Sequence, residues 1–194
     1  MSARTHDPPW VVLLFVALAF ARRPQWWKNQ PRGRGAGPGA TTAPVPSGGA
    51  NVWSEATMRL FVSEMQRVPI KPELVLLGIA AASNFDASTE LGNNVGLLML
   101  RRDDLAEVGY PAVVPFETLP APEQIPWIAR VISYRIANTG TVVMSVPDLA
   151  VLLAHVAGGP NVERVIRAEA QRRADNAQGT MLYIHHLNLL RRVI

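Results

Sequence analysis

Any chemistry in this 194-residue chain has to come from carboxylates, histidines and hydroxyls, because cysteine is absent. That removes disulfide scaffolds, Cys-ligated zinc, iron–sulfur clusters and thiol nucleophiles together. The four histidines, His6, His155, His185 and His186, are scattered except for the last pair, and no HExxH spacing occurs. No metal centre is expected from them. His185 and His186 fall in a helical pattern, where adjacent side chains point about 100° apart. They are poorly placed to chelate one ion, so the expectation is one packed histidine and one exposed. Neither GxGxxG nor GxxxxGK[ST] is present, so no cofactor is expected.

The net charge of +4 is unevenly placed. Residues 22–34 carry Arg22, Arg23, Lys28, Arg32 and Arg34 with no acid, whereas residues 35–194 hold thirteen basic and fourteen acidic side chains. A nucleic-acid-binding domain spreads lysine and arginine over a folded face to neutralise phosphates. The near-neutral body of this chain argues against nucleic acid as a partner.

Three segments follow from composition. Residues 1–29 contain an apolar run at 10–21 with Arg22, Arg23, Lys28, Trp26 and Trp27 behind it. Twelve residues are short for a spanning helix, which needs about 20. With the tryptophans at an interface and the basic side chains reaching head groups, the run reads as a membrane anchor. A helix buried in a protein groove and a cleaved signal peptide remain open alternatives, the arginines after Ala21 speaking against cleavage. Residues 30–52 are dominated by Gly, Pro, Ala, Thr and Ser and form a flexible linker.

Residues 53–194 are patterned as a helical domain. Ser54 caps a helix through about Val68, with Met58, Phe61, Val62 and Met65 on one face. Pro72 opens a second helix, apolar on nearly every side and therefore expected at the centre. Asp86 to Asn94 is turn-like, and Asp103 to Val108 makes a short helix stopped at Gly109. Pro122 opens a longer helix through Ala137, with an irregularity expected at Pro126. Residues 147–157, the charged helix Asn161–Ala177 and the helix Thr180–Ile194 complete the domain. Thr141 to Ser145 is a weak strand pattern. Arg164, Arg167, Arg172 and Arg173, interleaved with Glu163, Glu169 and Asp175, read as a solvated helix face, with an acidic partner as the alternative. The last helix is apolar over much of its circumference and needs a partner surface.

The text Gly78-Ile79-Ala80-Ala81-Ala82-Ser83-Asn84-Phe85-Asp86, followed by Asn93-Asn94-Val95-Gly96-Leu97-Leu98-Met99-Leu100, carries a resemblance. Over residues 72–136 the chain resembles the lysozyme-like soluble lytic transglycosylase domain of the bacteriophage virion type. In that family a buried helix ends in Glu-Ser, and a loop then leads to a Gly-Leu-x-Gln turn. The resemblance implies a mainly α, lysozyme-like domain whose Phe85, Gly96, Leu97 and Trp127 belong to a cleft.

Two departures from the family pattern decide the expected activity. The family glutamate falls at Ala82 and the family glutamine at Met99, beside a retained Ser83. Alanine cannot protonate a leaving oxygen, and general acid catalysis contributes about 10²–10⁴-fold. Asp86 and Glu90, on the loop beyond the helix, are the substitutes an active enzyme would need; their alternative roles are a turn cap and a solvated side chain. Glu73 and Glu117 are the other carboxylates of the matched region.

The expectation is a non-enzymatic structural or adaptor protein of a large assembly, a phage virion by the resemblance, membrane-associated or internal or tail-located. Its partners would be other subunits, and membrane or peptidoglycan. Two alternatives stand beside it. One is an active peptidoglycan lytic transglycosylase using Glu90 or Asp86. The other is a bacterial inner-membrane complex subunit unrelated to lysozyme.

Overall fold

The computed structural model describes residues 51–154 and 159–194. The chain divides into Met1–Val45 and Pro46–Ile194, and the described residues belong to the second unit. The expected helix of residues 1–29 with its Trp26, Trp27, Arg22, Arg23 and Lys28 flank, the linker through residue 50, and His155 lie outside the described residues. Among the described residues no helix is long and apolar enough to cross a membrane.

Seven α-helices are described: α1 (Glu55–Met65), α2 (Pro72–Ser83), α3 (Arg102–Glu107), α4 (Ala121–Thr139), α5 (Val146–Ala154), α6 (Gly159–Gln178) and α7 (Met181–Val193). Three two-residue strands, β1 (Glu90–Leu91), β2 (Asn94–Val95) and β3 (Leu100–Arg101), lie between α2 and α3, and a 3-10 turn at Phe116–Thr118 precedes α4. The fold is mainly α, as the periodicity indicates.

Local chemistry sets the helix starts. Ser54 Oγ accepts the Thr57 amide at 3.1 Å and Thr180 Oγ accepts the Tyr183 amide at 3.2 Å, each satisfying a donor that the first turn leaves free. Pro72 opens α2 with its φ already helical and no amide to waste. At α5, Ser145 Oγ accepts the Asp148 amide while Asp148 accepts the Ser145 hydroxyl at 2.7 Å. Asp148 also bonds Arg167 of α6, and that guanidinium first, then the Ser145 hydroxyl, holds its carboxyl below the usual range.

The central position expected for α2 is observed. Val75, Leu76 and Ile79 have no exposed surface, and the helix packs against α1, α5, α6 and α7. Gly78 permits the approach of α5, since a Cβ there would fall 2.9 Å from Leu149 Cδ2. The charged α6 meets α2 and α5 through Ala170, Ala174 and Ala177. On its outer side Arg167 pairs with Glu163, and Arg172 and Arg173 with Glu169. Such exposed pairs contribute about 0–1 kcal/mol each.

Several expectations need correction. The first helix ends at Met65 rather than Val68, with Gln66 as its C-cap. The loop expected from Asp86 to Asn94 contains β1 and the first residue of β2, strands too short for alternation to reveal. These pair antiparallel as Glu90 with Val95 and Leu91 with Asn94, and β3 adds Asn94 with Arg101 and Val95 with Leu100. Thr141 to Ser145 is not a strand: Val143 is buried between exposed Val142 and Met144, but the Met144 amide goes to Asp148 Oδ2 at 3.1 Å instead of to a neighbouring strand. The charged helix starts at Gly159, two residues before Asn161. Pro126 lies inside α4 without ending it. So near the start it removes only the bond its amide would have made to the Pro122 carbonyl.

Candidate functional site

The matched residues meet where α2 ends against the small sheet. Asn84 closes the helix in the left-handed region (φ 54°), its amide bonded to the Ala80 carbonyl, and Phe85 continues there at φ 64°. Asparagine tolerates this conformation, but a phenylalanine in it is an outlier held by its surroundings. Met99, at φ 52°, is the third non-glycine residue with positive φ among the described residues, and it lies in the facing turn. The Ser83 hydroxyl joins the two pieces, donating to the Leu97 carbonyl at 2.7 Å. The turn itself is tied to the sheet by the Gly96 amide on Thr89 O and closed by the Met99 amide on Gly96 O.

Gln124 of α4 fastens this junction from behind. Its side chain has no exposed surface, and both its polar atoms are hydrogen-bonded. Oε1 accepts the Leu97 amide at 2.9 Å; Nε2 faces the carbonyls of Ala87 at 2.8 Å, Phe116 at 3.0 Å and Leu119 at 3.0 Å. One amide thus links the loop after α2, the Gly96–Leu97 turn and the segment leading into α4. Gly96 makes the approach possible. It has φ 76°, and a Cβ on it would lie 2.5 Å from Gln124 Oε1 and 2.6 Å from the Phe116 ring.

The residues singled out from the sequence divide by position. Ala82, Ser83 and Met99 are half-buried at the junction. Gly96 and Leu97 are buried and act through their backbones. Phe85 is wholly buried and stacks on His186 of α7 with ring centroids 4.0 Å apart, so it supports the loop from within instead of lining a cleft. Trp127, half-buried, packs edge-on against Tyr110 at 5.1 Å and carries Arg130 over its ring at 4.4 Å. Tyr110 in turn meets Phe116, which backs Gly96.

The carboxylates near the junction are committed elsewhere. Asp86 Oδ1 accepts the Ser88 amide at 2.9 Å and the Ser88 hydroxyl at 2.7 Å, the turn-capping role. Glu90 accepts from Arg102 Nη2 at 2.7 Å, and the same guanidinium holds Glu117 through contacts of 2.8 and 3.1 Å. Arg102 holds the Glu117 carboxyl below the usual range and is itself pushed up, each chiefly through their shared hydrogen bonds. Glu73 is exposed in the first turn of α2, at its opposite end. A general acid of glycoside cleavage needs a raised pKa, which an apolar wall around a carboxyl supplies. Ala82, the position the resemblance assigns to it, has only a methyl group.

Sequence reasoning missed Gln124 and the contact of His186 with Phe85. Gln124 had a signal: it is an amide on the same buried face as Ile125, Ile128 and Ile132. Of the histidine pair, His186 is buried and His185 half-exposed, the division expected. Two surface hollows, of about 440 and 340 Å³, lie away from the junction, one bordered by Thr141, Leu152 and Glu163 and the other by Arg67, Pro126 and Arg130. Among the described residues no group of three or more His, Asp or Glu side chains is placed to hold a metal ion.

These observations define a mainly α domain with a three-stranded antiparallel sheet inserted after its central helix. No family model, curated protein or solved structure matches the chain.

Proposed function

We propose that residues 53–194 form a lysozyme-like module without a general acid, serving as a non-enzymatic structural or adaptor component of a large assembly. The observation that carries this reading is the order of parts at one junction: a buried helix ending at Ala82-Ser83, then a small antiparallel sheet whose Gly96-Leu97 turn, between β2 and β3, is bonded back to Ser83. That order agrees with the resemblance, and a phage virion is the assembly the resemblance suggests. With an alanine at the acid position, Asp86 in a turn and Glu90 on Arg102, the junction is better suited to holding surfaces together than to breaking a glycosidic bond. The basic, tryptophan-bearing flank at Arg22, Arg23, Trp26, Trp27 and Lys28 would then supply attachment to membrane or to a neighbouring subunit.

An assembly component predicts a specific fractionation. In a native-size separation of its source material, the full chain is expected to elute with other proteins, far above its own 21.2 kDa. Elution as a free species of its own size, from gently disrupted material at low salt, would remove the assembly role.

A further inference from the structure

The contact between Trp53, Phe85 and His186 joins the point where the chain enters the domain to the loop at the end of α2. The Trp53 amide donates to His186 Nε2 at 3.0 Å. His186 Nδ1 is 2.7 Å from the Leu182 carbonyl, which fixes the proton on that nitrogen and leaves Nε2 as the acceptor. The imidazole stacks on Phe85, and the Trp53 ring meets Phe85 and His186 edge-on at 5.4 and 5.3 Å. Asn51 adds a longer bond, from Nδ2 to the Asn84 carbonyl at 3.4 Å.

We propose that His186 is a proton-operated latch: a proton on Nε2 turns the acceptor of the Trp53 amide into a donor, freeing residues 51–53 and the support of Phe85. Both nitrogens are then N–H groups, one held by Leu182 and the other facing another donor. Two features weaken this contact. Trp53 already buries its indole Nε1 with no hydrogen-bond partner among the described residues. Phe85 keeps a left-handed backbone that only its surroundings enforce. The device is independent of the lysozyme-like reading.

The sign follows from where the proton binds best. Burial, the largest influence, drives His186 down to about 4 from the ordinary 6.5, with the Leu182 bond opposing and the neighbouring His185 adding to the fall. The ionisable groups on the packed elements are Glu55, Arg59 and Glu64 on α1, Glu73 on α2, Asp86 after it, Arg172, Arg173 and Asp175 near the end of α6, and Tyr183, His185, Arg191 and Arg192 on α7. His185 is the one whose charge shifts His186. The open state binds the proton more tightly, so the latch is fully effective above about pH 6.5 and is lost as pH falls through about 4. Linkage between those two values gives a rise of about 25–30-fold in the open population at pH 5 relative to pH 7.5.

Amide hydrogen exchange of the full chain between pH 7.5 and 4.5, corrected for intrinsic rates, tests this. Protection of the Trp53 amide, bonded to His186 Nε2, should fall about 30-fold by pH 5 while that of Leu76 and Ile128 holds. In His186→Phe, which keeps a ring but no acceptor, Trp53 protection should be low and flat with pH; in His185→Gln the pH dependence should remain. Trp53 protection that is flat in the unmodified chain, or that falls only together with Leu76 and Ile128, overturns the proposal. Should His186→Phe fail to fold, the unmodified chain still decides: NMR titration of the His186 ring with a midpoint above 6 also overturns it.

Discussion

Gln124→Ala is expected to destabilise the domain by about 3–5 kcal/mol, because it strands the Leu97 amide and removes the donor shared by three carbonyls. The cost exceeds that of a lost surface amide because the side chain is fully buried and water has no ready access to the groups left behind. Gln124→Glu sharpens the test. At neutral pH a carboxylate still accepts from Leu97 but presents its other oxygen to the Ala87, Phe116 and Leu119 carbonyls, so it should be at least as damaging as alanine. In acid, where the carboxyl gains an O–H, its deficit relative to Gln124→Ala should shrink. Urea unfolding followed by far-UV circular dichroism measures both. A loss below about 1 kcal/mol for Gln124→Ala, the net worth of one ordinary hydrogen bond, would mean that the junction does not depend on this amide.

Gly96→Ala attacks the same place from the other side. The left-handed backbone costs an L-residue about 1–2 kcal/mol, and forcing a methyl group against Gln124 and Phe116 adds about 1–3 kcal/mol. The sum, about 2–5 kcal/mol, corresponds to a fall in Tm of roughly 10 °C for a domain of this size. The two substitutions share partners, so their effects should not add. In a double-mutant cycle, Gly96→Ala should cost less in the Gln124→Ala background, where one of the two clashing groups is gone. Full additivity would contradict the contact between them.

The helices were legible in the sequence because their ends have strong local chemistry. Ser54, Pro72 and Thr180 begin helices as their types dictate, and the apolar circumference of α2 foretold its central position. What escaped has physical reasons. Two-residue strands carry no period. Val142-Val143-Met144 has the alternation of a strand but no partner strand, and Asp148 takes an amide that a ladder would need. The junction was only half legible. Ala82, Ser83 and Met99 lie half-buried at the junction, and Ser83 reaches the Gly96–Leu97 turn, a contact between residues fourteen apart that no local pattern announces. Phe85 was assigned to a cleft only through the resemblance, and it is wholly buried. Its partner His186 lies at the other end of the domain sequence, and stacking between such distant residues leaves no local mark. Gln124 carried the clearest missed signal, a polar side chain beside Ile125, Ile128 and Ile132 on the buried helix face.

With an alanine at position 82 and Asp86 and Glu90 engaged by Ser88 and Arg102, the junction proposed as lysozyme-like should not cut glycan. The most direct test is muropeptide release from purified peptidoglycan by the full chain, assayed beside Glu90→Gln and Asp86→Asn. No release above a protein-free control is expected for any of the three. Release by the unmodified chain that disappears in Glu90→Gln or Asp86→Asn would contradict it, and would place the missing acid on the loop beyond α2.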